Sequence, residues 1–127
     1  MEPMRRRLID GTVAGLVATL LMTGPVLFVG PLSPLMLAAH VAYGAFAGGL
    51  YGITVEKSSL ARAVAFGFAL WGVALLVYAP LCGFGLFAAR APRLAAAALP
   101  LHLFWGLLVG AFQPRAPQPS GPRPIIH

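Results

Sequence analysis

Apolar residues run along this chain in four long stretches, and proline, glycine or charge makes the breaks between them. The first stretch extends from about Leu8 to Gly30 and ends at the turn-forming "PLSP" of residues 31–34. The second, about Leu35 to Thr54, stops at "VEKSS". The third, about Arg62 to Phe87, contains Pro80 and a loose "LCGFG", which places the end of its regular part near Ala79. "AARAPR" then leads into the fourth, about Leu94 to Phe112. A helix needs about 20 apolar residues to cross a hydrocarbon core of about 30 Å. The pattern therefore predicts an all-α integral membrane protein with one domain over residues 1–112. Its four transmembrane helices, at about 8–30, 35–54, 62–87 and 94–112, form a bundle. Residues 113–127 hold five of the chain's 12 prolines and read as a disordered tail.

Composition strengthens this picture. Of the 127 residues 59% are hydrophobic and 9% are charged, whereas roughly a quarter of a soluble domain is charged. The net charge of +6 comes from nine basic residues set in ones, twos and one triplet at the edges of apolar segments. That distribution anchors helices in a bilayer and forms no nucleic-acid-binding stripe. Arg5, Arg6 and Arg7 flank a run too long for a cleaved signal peptide, and no small-x-small cleavage site closes it. With the N-terminus inside, Arg5, Arg6, Arg7, Lys57, Arg62, Arg115 and Arg123 lie on the inner side and only Arg90 and Arg93 on the outer. Lysine and arginine collect in cytoplasmic flanks. Both termini are thus assigned to the cytoplasm, and the protein to a cytoplasmic membrane.

Two of the stretches share a motif. In "AHVAYGAFAGGLYG" (39–52), His40 is followed at every fourth position by Gly44, Gly48 and Gly52. In "LHLFWGLLVG" (101–110), His102 is followed by Gly106 and Gly110. Aligning the histidines pairs Tyr43 with Trp105, and Gly15 of the first stretch corresponds to Gly72 of the third. This suggests a parallel duplication of a two-helix unit about an axis along the membrane normal. Glycines four apart lie on one helix face, where small residues let backbones approach closely in lipid. Gly44, Gly48 and Gly52, then Gly106 and Gly110, and Gly11 and Gly15 with Ala18 are read as helix-packing stripes.

The histidines carry the candidate chemistry. His40 and His102 lie five and eight residues into their helices, roughly 7 and 12 Å below the outer boundary at about 1.5 Å per residue. An ionisable side chain at such depth faces the bundle interior, where it finds a hydrogen-bond partner. On one reading each imidazole joins a polar network with residues such as Tyr43 and Trp105. On the other the two face a shared ligand, haem b being the alternative in which they serve as axial ligands and the glycines make room for the macrocycle. Zinc would want a third protein ligand, so no metal is expected. Cys82 is read as a small packing residue, and Asp10, three residues after Arg7, as a partner in a boundary ion pair. No serine–histidine–acid constellation, phosphate loop or carboxylate pair is present, so no enzymatic activity is expected. A channel would have only Thr12, Thr19, Thr23, Tyr43, Tyr78 and the two histidines to line it.

The combination of "GTVAGLVATLLMTGP", "AHVAYGAFAGGLYG", "WGVALLVYAPLCGFG" and "LPLHLFWGLLVG" resembles the small four-helix membrane proteins of bacteria and archaea grouped as YagU-like. The resemblance covers about Leu8 to Phe112 and implies a fold and a membrane location without a reaction. It draws attention to Gly15, Thr19, Met22, His40, Gly44, His102 and Gly106. The expectation is a non-enzymatic multi-pass protein acting as an assembly or packing component, in contact with the lipid bilayer and as a homo-oligomer or part of a larger membrane complex. The alternatives are a cofactor-binding module built on His40 and His102, and a small oligomeric channel or carrier.

Overall fold

The computed structural model describes residues 2–29 and 33–113, and among them there is no strand. Four helices carry the chain: α1 (Glu2–Val29), α2 (Pro34–Thr54), α3 (Leu60–Leu81) and α4 (Pro92–Phe112). All four are long and apolar enough to cross a membrane. The "PLSP" turn lies partly, and the proline-rich tail from residue 114 wholly, outside the described residues.

Local chemistry sets the helix ends. Ser33 caps α2, its hydroxyl accepting from the Met36 N–H at 3.2 Å ahead of a first-turn proline. Ser59 caps α3 in the same way, accepting from the Arg62 N–H at 3.3 Å. The first helix begins at Glu2, earlier than the apolar pattern suggests, because the basic triplet is itself helical. Arginine is a good helix former. From that position Arg7 crosses to α2 and donates to the Gly52 and Ile53 carbonyls, both at 3.0 Å. These belong to the last turn of α2, where carbonyls have no partner within the helix. Asp10 approaches Arg6 at 3.9 Å rather than Arg7.

The third helix departs furthest from expectation. Pro80 has no N–H and its ring crowds the carbonyl one turn back. The preceding turn, Ala74–Tyr78, widens to a π-turn, and the helix passes through Pro80 to end at Leu81. Gly83 and Gly85, both at φ 78°, then reverse the chain into a short 3-10 turn at Leu86–Ala88. The apolar span of 62–87 thus runs past the helix, whose end at Leu81 lies two residues beyond the expected end of its regular part near Ala79. Cys82, read as a packing residue, stands exposed in this reversal.

Two glycine seams bring helices together. In the first, α1 meets α2 backbone to backbone. A Cβ added at Gly48 would strike the Gly11 carbonyl oxygen and lie 2.5 Å from Gly15 Cα, and one at Gly52 would strike the Arg7 carbonyl. In the second, α3 meets α4, and a Cβ at Gly106 would strike the Ala63 carbonyl and lie 3.1 Å from Gly67 Cα. Gly48 and Gly106 therefore occupy the same place in their seams, and Gly15 is matched by Gly67. The histidine alignment has a different register, pairing Gly48 with Gly110 and Gly15 with Gly72. Gly72 has nothing within 4 Å of its missing Cβ.

Contacts between the pairs run mainly through α1 and α4. Ala14, Ala18 and Met22 of α1, Ala47 and Tyr51 of α2, Leu70 of α3, and Trp105 and Val109 of α4 make one buried cluster. Tyr51 packs edge-on against Phe66 with ring centroids 5.0 Å apart. Its hydroxyl lies 2.9 Å from the Ser58 hydroxyl, which donates to the Gly110 carbonyl at 3.1 Å. That chain ties the end of α2 to the end of α4.

Candidate functional site

His40, Tyr43, His102 and Trp105, on two different helices, line a single half-open cavity of about 150 Å³. Thr19, Met22 and Val26 of α1, Leu70 of α3 and Leu101 of α4 complete its wall. All four helices contribute, and no charged side chain does.

Hydrogen bonds fix the state of two of the polar groups, Trp105 and His102. Trp105 Nε1 donates to Thr19 Oγ1 at 2.8 Å in a fully buried bond between α4 and α1. The indole can only donate, so Thr19 keeps its own hydroxyl hydrogen for another acceptor. His102 Nδ1 lies 2.8 Å from the Ala98 carbonyl one turn earlier. A carbonyl only accepts, so Nδ1 carries the hydrogen, and in the neutral imidazole Nε2 is left with a lone pair. Nε2 of His40 is buried and has no hydrogen-bond partner among the described residues. A buried polar atom without a partner costs about 1–3 kcal/mol.

The seams explain why these groups converge. Thr19 packs into the space above Gly44, where any Cβ would overlap its hydroxyl. His102 presents its backbone carbonyl to Gly67. The close approach of each helix pair therefore fixes one wall of the cavity. The expectation that the glycines flanking the histidines are open to a ligand is replaced by this finding. Thr19 fills the Gly44 face, Ala63 and Gly67 fill the Gly106 face, and Ala63 and Ser58 lie against Gly110. The remaining space is below the roughly 300 Å³ at which pockets for drug-sized ligands begin. The residues do not fit a haem macrocycle.

Among the described residues no group of three or more histidine, cysteine, aspartate or glutamate side chains is placed to hold a metal ion. Of the threonines named as channel-lining candidates, Thr19 accepts from Trp105 of α4, and the other two are engaged within their own helix. Thr12 donates to the Leu8 carbonyl at 2.8 Å and Thr23 to the Thr19 carbonyl at 3.0 Å. Tyr78 is 58% exposed on the outer surface of α3.

Sequence reasoning passed over several residues that shape this region. Ala63 and Gly67 are four apart and carried the small-residue signal, which the search for histidine-linked glycines missed. Leu70 and Leu101 carry no such signal, because one leucine in an apolar helix looks like any other. Comparison with protein families, with curated proteins and with solved structures finds no match for this chain.

Proposed function

We propose that this protein is a non-enzymatic four-helix bundle of the cytoplasmic membrane, with both termini in the cytoplasm, that works by binding a small molecule between its helices. One observation carries the reading: two histidines, from α2 and α4, line one cavity together with the buried Thr19–Trp105 bond. Polar groups inside membrane spans are expensive to keep and mark functional sites by default. A protein that only needed to pack could fill the same space with leucine. The recurrence of one glycine contact in both helix pairs supports descent of the bundle from a duplicated hairpin, with Gly48 equivalent to Gly106.

The test is to fill the cavity. Val26→Phe adds bulk to the cavity wall and leaves both glycine seams untouched. Wild-type protein purified from its native membrane should carry a small molecule, visible by native mass spectrometry, that the filled variant lacks while keeping the same helical content. Equal ligand content in the two proteins would sink the proposal.

A second reading, assembly with further copies, has its own observation. The glycine stripes are occupied within the chain, so a partner would have to use the shallow groove of about 210 Å³ along Leu8, Thr12, Phe46, Gly49 and Ile53. Replacing Phe46, 72% exposed beside this groove, with serine should then change the oligomeric state without altering the ligand carried.

A further inference from the structure

The cavity's size, lining and hydrogen-bonding state specify more than a site; they narrow what enters it. The space of about 150 Å³ equals in volume an engineered apolar cavity that takes up one benzene, though this one is a cleft open along one side. One six-membered ring fits where a macrocycle does not. The walls of Met22, Val26, Leu70, Leu101 and the rings of Tyr43 and Trp105 suit an apolar ring face. With no charged side chain in the lining, an ionised ligand would lie in a low-dielectric space without a counter-charge, which is costly. The ligand is therefore neutral.

His102 adds the direction of the hydrogen bond. Its Nδ1 hydrogen is engaged by the Ala98 carbonyl, so the Nε2 of the neutral ring can accept and cannot donate. A ligand bound there must bring a donor. At His102 Nε2 a carbonyl compound or an ether would meet lone pair with lone pair, whereas a hydroxyl donates there and keeps its oxygen free to accept from the unpartnered His40 Nε2 in its protonated tautomer. Water alone is a poor match, because each buried water wants about three polar partners and most of the wall is apolar. Tyr43 lines the cavity and is also 42% exposed on the surface of α2, so the site lies close beneath the lipid-facing surface.

We infer that the cavity binds a neutral hydroxylated aromatic ring, its hydroxyl donating to His102 Nε2 and its ring held between Trp105 and Tyr43. This rests on the reading of the cavity as a ligand site. Such a ring has two sources, a free small phenol or the hydroquinone head of a lipid with an alkyl tail.

The experiment uses the full chain in lipid nanodiscs, with empty nanodiscs as the partition control. Para-fluorophenol and para-fluoroanisole share a ring and differ in the donor, and fluorine NMR reads the binding of both. The phenol should bind roughly three- to tenfold more tightly, the fold-change of one hydrogen bond of ordinary net strength. That preference should vanish in His102→Phe, which keeps a ring and removes the acceptor. Nitrogen NMR of histidine-labelled wild-type protein gives a readout independent of any variant's folding. The His102 Nε2 resonance should move with the phenol and stay in place with the anisole. An alkyl-tailed hydroquinone that displaces the phenol at lower membrane concentration identifies the lipid source, and displacement by tail-free phenols alone identifies the free one. Equal binding of both probes, lost in Val26→Phe, overturns the donor inference and leaves the cavity reading standing. Retention of neither probe above empty nanodiscs overturns both.

Discussion

At the scale of single residues, glycines of the same type do opposite work depending on what faces their missing side chain. Gly48 sits against backbone atoms of Gly11 and Gly15, which cannot turn aside as a side-chain tip can. Gly48→Ala should therefore force α1 and α2 apart and cost about 1–3 kcal/mol, seen as a lower thermal midpoint in detergent. Gly72 lies in α3 with open space around it, so Gly72→Ala should be neutral or stabilise by up to about 1 kcal/mol, alanine being the better helix former. Equal destabilisation by the two changes would show that the seams are not the close contacts described. Thr19→Val makes a second residue-scale test. It keeps the shape of the side chain but leaves the buried Trp105 N–H without its acceptor. The loss should be about 0.5–2 kcal/mol, at the scale of hydrogen bonds between membrane helices, and Trp105 fluorescence should shift. The glycine stripes of α1 and α2 were legible in the sequence because a spacing of four marks one helix face. The convergence of His40 and His102 on one cavity was legible only as an option, since their different depths say nothing about how far each helix is rotated or shifted.

At the scale of elements, the apolar pattern located every helix but misplaced the ends that backbone chemistry decides. The boundary of α2 was readable because Pro34 and Ser33 announce it. The start of α1 was not, because arginines look like a flank until one of them is needed to cap the neighbouring helix. The π-turn before Pro80 has no signature beyond the proline, which permits a kink, a break or a widened turn. The reversal after α3 depends on Gly85, whose φ of 78° and ψ of 170° fall in a region open essentially to glycine alone. An added Cβ there would have room, its nearest neighbour being Arg90 Cγ at 3.8 Å. Gly85→Ala thus isolates conformational strain from crowding, and it should cost about 1–3 kcal/mol in chemical denaturation. No loss of stability would mean that the chain reverses through a different backbone path. The histidine alignment and the seams give different registers at this scale. The alignment matched side chains that share a motif, whereas the seams match backbones, and the two registers differ by one helical turn.

At the scale of the whole molecule, an even number of spans puts the chain's two ends on the same side of the membrane, and charge decides which side. The four spans found among the described residues contain 26, 21, 22 and 21 residues, and at about 1.5 Å per residue even the shortest covers a core of about 30 Å. With all four helices crossing, as proposed, seven basic residues flank the side that holds both termini and two flank the other. The bias is carried by short flanks, where the orienting effect of lysine and arginine is strongest. Arg7, one of the seven, has its guanidinium held at the end of α2 and so fixes which ends of α1 and α2 meet. A reporter fused after Arg123 should remain cytoplasmic, and one inserted near Ala91, between α3 and α4, should be exported. The decisive measurement is the C-terminal fusion. If it is exported while the insertion near Ala91 stays inside, α3 with its π-turn and Pro80 does not cross the bilayer. His40 and His102 would then come from helices that do not share a membrane depth, and the cavity with its proposed ligand would have to be abandoned together with the topology.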